Sequence, residues 1–207
     1  MENIGEEIIG MALPVALFLL NTNRVQKAIE LCKESLFLMN CNTEENDLQS
    51  IKLLLMEFYF ILFRAYRRIS DYINAERYCR ELLVLSHESG ALLKEGNASM
   101  ALAKICEIQC KFTEATQLYD KTINIRAQIG DKKGEGNACV RIGAMFYKLG
   151  EYVKAKEYYE RALKITTQIG DRNGEALSYV NLGATFESLG EYLKAKEYIE
   201  RALAIRI

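Results

Sequence analysis

Between residues 151 and 169 apolar and polar positions alternate with a helical beat. Tyr152, Ala155, Tyr159, Ala162 and Ile165 recur at three- and four-residue spacing, and Lys and Glu fill the positions between them. That stripe predicts an amphipathic helix with one buried face. A second apolar-periodic stretch precedes it over about 132–149, and Gly150 separates the two. Glycine accepts the left-handed conformation that ends a helix, so the pattern predicts two antiparallel helices, A and B, joined at Gly150. Gly170 closes helix B, and Asp171 caps the next helix with its carboxylate; Gly130-Asp131 does the same one unit earlier, and Gly90 holds the matching place before that.

The two-helix unit repeats. Ala75, Ala115, Ala155 and Ala195 stand 40 residues apart. Residues 134–167 and 174–207 share roughly 20 of 34 positions, far above chance, which marks an internal repeat. The alanines have a packing reason: a small side chain where helix B crosses helix A lets the backbones approach, with Gly143 and Gly183 on the facing helix and Phe146 and Phe186 one turn on. The pattern predicts an all-α chain, an α-solenoid of antiparallel helix pairs forming one array over 1–207, whose right hand is what the family resemblance below implies. Its units fall at 55–93, 94–133, 134–173 and 174–207, preceded by divergent helices or a degenerate repeat over 1–54 with an extra stretch at 40–46.

Ile142-Gly143-x-x-Phe146 followed by Ala155, Tyr159 and Ala162 resembles the tetratricopeptide repeat signature, as does Leu182-Gly183-x-x-Phe186 with Ala195, Ile199 and Ala202. Earlier copies are weaker, and the usual tryptophan and terminal proline are missing. The 40-residue unit is longer than the ordinary 34, and its GD-x-x-GE and NLG sequences are similar to repeats of Pins/LGN-type adaptors and of arrays related to tetratricopeptide repeat protein 28; kinesin light chain has a comparable long unit. The resemblance implies a non-catalytic interaction scaffold or adaptor whose A helices line a concave groove. It also implies that Asn181 occupies the place of an asparagine able to bind a peptide backbone, with Arg141 and Ala101 standing there in earlier copies. A chaperone-type carboxylate clamp fits poorly, because Lys133 and Asn137 echo it about two turns out of register.

Composition removes several alternatives. The net charge of −1 gives no general pull toward nucleic acid or anionic lipid. Met11–Leu20 lacks a basic start and Leu53–Phe63 carries Glu57 and is too short to span a bilayer, so both read as helices buried between neighbours and not as membrane insertion. Pro14 is a mark against a regular helix there. The six cysteines form no CxxC pair; Cys106 and Cys110, four apart on a helix, make at most half a metal site, so reduced thiols, no metal and no cofactor are expected, in a cytoplasmic setting. The single histidine, His87, supports no catalytic constellation, and no phosphate-binding glycine loop is present, so the chain reads as no enzyme. Glu157–Arg161 and Glu197–Arg201 read as surface i,i+4 pairs.

The remaining place for function is the A-helix face. Its polar candidates are Arg64, Arg67 and Arg68, then Asn97 and Lys104, then Asn137, Arg141 and Lys148, and last Asn181. Arginine forks bind carboxylates, so an extended acidic peptide or helix of another protein is the expected partner. The alternative is self-association through the last helix B, whose Tyr198, Ala202 and Ile205 would be exposed in a homo-oligomer-forming or truncated array.

Overall fold

The computed structural model describes residues 4–42 and 48–206, with side chains over 11–39 and 49–205. Cys41's side chain, residues 43–46 of the extra stretch and Ile207 lie outside the described residues. Among the described residues ten helices follow one another and there is no strand. They are α1 (Ile4–Asn21), α2 (Val25–Asn42), α3 (Leu48–Arg68), α4 (Tyr72–Glu88), α5 (Leu92–Ile108), α6 (Phe112–Gln128), α7 (Lys132–Lys148), α8 (Tyr152–Gln168), α9 (Arg172–Ser188) and α10 (Tyr192–Arg206). The chain divides into two compact units, residues 1–105 and 106–207.

From α4 to α9 each helix is 17 residues long. A residue with positive φ then falls every twentieth position: Ser70, Gly90, Cys110, Gly130, Gly150, Gly170 and Gly190. The two backbone bonds at each junction are those of a Schellman turn. At Gly150 they run from Gly150 N to Tyr147 O (3.0 Å) and from Glu151 N to Phe146 O (3.0 Å), and at Cys110 from Cys110 N to Glu107 O (3.1 Å) and from Lys111 N to Cys106 O (2.8 Å). Ser70 and Cys110 therefore hold the glycine slot without glycine's freedom. Asp71, Asp131 and Asp171 each accept a hydrogen bond from the backbone N–H three residues on, as expected of N-caps at the last two.

In the first unit α1 packs against α2 and α3, α2 against α3, and α3 against α4. The core there includes Ala16, Ala28, Phe58, Ile61, Leu62, Ala65 and Ala75. The first helix pair is thus complete, and α1 continues through Pro14. The run Met11–Leu20 is not wholly buried: Ala12, Ala16 and Leu20 turn inward while Met11, Val15 and Phe18 face solvent. Leu53–Phe63 is mostly inward, with Leu53 and Phe60 exposed.

In the second unit α7 packs on α6, α8 and α9, α8 on α9, and α9 on α10. Ala115, Ala155 and Ala195 are buried at the crossings. Tyr159 lies against Gly143 and Ile199 against Gly183. Phe146 stacks on Tyr158 (5.7 Å between centroids), and Phe186 meets Tyr198 at 5.1 Å. That contact corrects the expected surface of the last helix. Ala202 is buried, Tyr198 is half-buried against α9 and Ile205 is half-buried, while Tyr192, Leu193, Ile199 and Leu203 are exposed apolar residues of α10.

Candidate functional site

The last turns of α3 carry the basic candidates. Arg64 lies over the ring of Phe60 (5.5 Å to the centroid) and Arg67 over Phe63 (5.6 Å), each four residues apart on one helix. Each of these two guanidiniums thus has an aromatic neighbour on its own helix. Arg68 is committed differently. Its Nη1 donates to the Leu20 carbonyl in the last turn of α1, which also accepts from Asn23 N at 3.3 Å. The three arginines line one open recess of about 240 Å³ with Leu20 and Asn21. No carboxylate pairs with them among the described residues.

Beside it, Met56, Phe60, Leu82 and Asn97 line a second, mainly apolar cavity of about 190 Å³. Its rim holds an ion pair, Lys94 Nζ to Glu57 Oε1 at 2.7 Å. The structure therefore joins Asn97 to Phe60 in one wall and joins the arginines in another. Lys104 is half-buried on α5.

In the second unit the candidates behave differently. Asn137 and Arg141 are exposed one turn apart on α7, and Asn181 is half-buried on α9, which packs on α7. Lys148 is paired: its Nζ reaches Glu107 Oε1 at 2.8 Å, and Glu107 Oε2 accepts from the Tyr119 hydroxyl at 3.1 Å. One repeat on, the Tyr147 and Ser188 hydroxyls meet at 3.0 Å across the same 41-residue offset. These rungs tie successive A helices together. The offset and the opposite signs at 107 and 148 were the signals in the sequence.

Electrostatics mark the same frame. Burial and the Glu107 charge together push the Tyr119 hydroxyl well above the usual tyrosine range. Burial would raise Glu135, yet hydrogen bonds from Lys132 and Arg161 outweigh it and leave its pKa lowered. Arg161 reaches Glu135 at 3.0 Å, so the expected i,i+4 partner Glu157 is not its contact, whereas Arg201 does pair with Glu197. Burial pushes the Cys32 thiol up to about 12 and that of Cys139 to about 11. Cys106 is buried but Cys110 lies beyond the end of α5 at φ 60° and is exposed, so the two do not share a helical face. His87 Nδ1 lies 3.1 Å from Glu95 Oε1.

Helix pairs repeating every 40 residues, with Schellman junctions and small residues at the crossings, define a class: all-α helical-repeat proteins whose function lies on a surface. The family model of the tetratricopeptide repeat matches residues 136–207. No curated protein matches the chain in sequence. Among solved structures, BtubC from P. vanneervenii is 20% identical with a TM-score of 0.77, over 99% of this chain and 92% of that one. A putative kinesin light chain from Podosopora anserina, described as having nearly identical TPR-like repeats, is 16% identical at TM-score 0.76, over 100% and 97%. The apo form of RapI is 15% identical at TM-score 0.80, over 95% and 69%. These likenesses show the fold, the tetratricopeptide-repeat α-solenoid. It is a fold that typically serves as a non-catalytic scaffold for protein interaction. Among the described residues no helix is long and apolar enough to cross a membrane.

Proposed function

We propose that the chain is an interaction scaffold that binds an extended, acidic segment or helix of another protein on its A-helix face. The carrying observation is the recess of Arg64, Arg67 and Arg68, lined by three guanidiniums and, among the described residues, by no compensating carboxylate. Several other basic residues are neutralised in pairs such as Lys148–Glu107 and Arg161–Glu135. Clustered like charge costs stability unless a ligand neutralises it, and arginine forks suit carboxylates. Asn137, Arg141 and Asn181 extend the polar face within the second unit, where an exposed amide can bond to a peptide backbone. Buried, neutral thiols suit a reducing, cytoplasmic setting.

The test is affinity capture from lysate with wild type and with Arg64→Glu/Arg67→Glu. Arg68 is left intact because it holds α1. Partners lost by the variant, with its helical circular dichroism intact, support the reading; identical partner sets refute it. A second reading, self-association, is favoured by the exposure of Tyr192, Leu193 and Leu203 on α10. A monomeric mass by light scattering at high concentration removes it.

A further inference from the structure

We infer that α3 reads its peptide at two points, an apolar side chain and an acidic group three or four residues apart. The inference rests on the groove reading above and names the ligand of that surface.

Two cavities lie side by side on one helix. The apolar notch is made by Met56 and Phe60 of α3 with Leu82 of α4, and Asn97 of α5 sets an amide at its wall. The basic recess begins one turn further along, at Arg64. Phe60 belongs to both features: its ring lines the notch, and the Arg64 guanidinium lies over it at 5.5 Å. A side chain entering the notch would touch the residue over whose ring the arginine lies. The notch rim adds little net charge, because Lys94 is paired with Glu57 at 2.7 Å. Attraction for an anion is thus concentrated at the recess, and the notch suits an apolar group.

The helix sets the spacing. From Phe60 to Arg67 the rise is about 10 Å at 1.5 Å per residue. An extended peptide covers that distance in about three residues at 3.3 Å each, and four if it runs obliquely. Both features sit on the described part of the first unit, so they need no particular arrangement of the rest of the chain. The occupant is therefore a linear segment with an aliphatic or aromatic residue and an Asp or Glu three or four positions away. Arg64 and Arg67, already stacked, supply the forks, and Arg68 stays on Leu20.

The experiment is selection of random twelve-residue peptides displayed on phage against the full chain, followed by fluorescence anisotropy of the selected peptides. Expected are sequences enriched in an apolar residue three or four places from an acid. They should bind Phe60→Ala and Arg64→Glu/Arg67→Glu about tenfold or more weakly, as loss of a desolvated anchor or a charge-assisted pair predicts. Acidic peptides that need the arginines but show no apolar partner at that spacing would overturn this inference and leave the acidic-groove reading standing. Peptides indifferent to the arginines, or no selected peptides at all, would overturn both.

Discussion

Three helical glycines receive the same added methyl group and should respond in three different ways. Gly136 and Gly143 lie two turns apart on α7, and Gly183 is the repeat equivalent of Gly143 on α9. Replacing glycine by alanine in a helix gains about 1 kcal/mol from backbone entropy. At Gly136 the new Cβ meets Ile165 Cγ2 at 3.4 Å, an ordinary contact, so the gain survives. At Gly143 it lies 2.9 Å from two ring carbons of Tyr159, which is only 3% exposed and boxed in by its neighbours. Overpacking of that kind costs about 1–3 kcal/mol, so the net is a loss of about 1 kcal/mol. At Gly183 the clash is closer, 2.7 Å to Ile199 Cδ1 and 2.8 Å to its Cγ1, but it falls on the outer carbons of a side chain that is 37% exposed and able to turn away. There the two effects roughly cancel. Thermal melts followed by circular dichroism should place Gly136→Ala highest, Gly183→Ala near wild type and Gly143→Ala lowest. At about 2–4 °C per kcal/mol for a chain of this size, the outer two should differ by about 4–8 °C. A Gly143→Ala protein as stable as Gly136→Ala would refute the reasoning, because it would mean that the Tyr159 ring does not close the α7–α8 crossing.

Cys110→Gly should stabilise by about 1 kcal/mol, the cost of holding a side chain at positive φ, seen as a higher denaturation midpoint. Asp171→Ala should lose about 1 kcal/mol with its cap, and Asp131→Ala more, because Asp131 Oδ2 also accepts from Arg126 at 2.6 Å and that guanidinium is mostly buried; urea melts of the two check it. Folded-state pKa values of about 12 for Tyr158 and Tyr159 and about 11 for Cys139 lie above those of the unfolded groups. Such groups favour the fold fully below pH about 9, and that contribution disappears as pH rises through 11–12, so alkaline unfolding should coincide with a late rise in tyrosinate absorbance. With Cys41 replaced by Ala, disulfide reagents at pH 8 should label one thiol quickly, Cys110, and leave Cys32, Cys79, Cys106 and Cys139 until unfolding.

The frame was legible because it repeats. A buried alanine every 40 residues and a turn every 20 each leave a residue type that physics restricts, so Ala155, Gly150 and Asp171 could be placed from sequence alone. Ser70 and Cys110 escaped notice because the Schellman bonds at those junctions override the residue's own preference. The N-terminal pair was harder to read for another reason. Pro14 and the exposed face of Met11, Val15 and Phe18 break the expected rules for a packed helix, and only contacts with α2 and α3 show which side is inward. Pairings between helices were hidden too, since Arg161 chose Glu135 over the nearer Glu157 and Arg68 chose a backbone carbonyl. Choices of that kind depend on side-chain reach across helices, which spacing along one helix does not encode.

Register also separates the positions that build from those that recognise. The crossing position reads Ala75, Ala115, Ala155 and Ala195, without variation. One A-helix surface position reads Arg64, Lys104, Ala144 and Ala184; another reads Arg67, Glu107, Tyr147 and Glu187; a third reads Phe60, Met100, Val140 and Val180. The frame tolerates this because those side chains do not enter the crossings, so changing them costs little stability. Variation that is cheap for the fold is where specificity can accumulate. Glu107 and Tyr147 spend theirs on rungs to the next A helix. Only α3 sets arginine at 64, 67 and 68 around one recess, with its aromatic partners on the same helix and no acid among the described residues to quench them. A charge cluster that the repeat does not require and that no acid among the described residues neutralises is the feature the proposed function rests on, which is why the first mutations belong there.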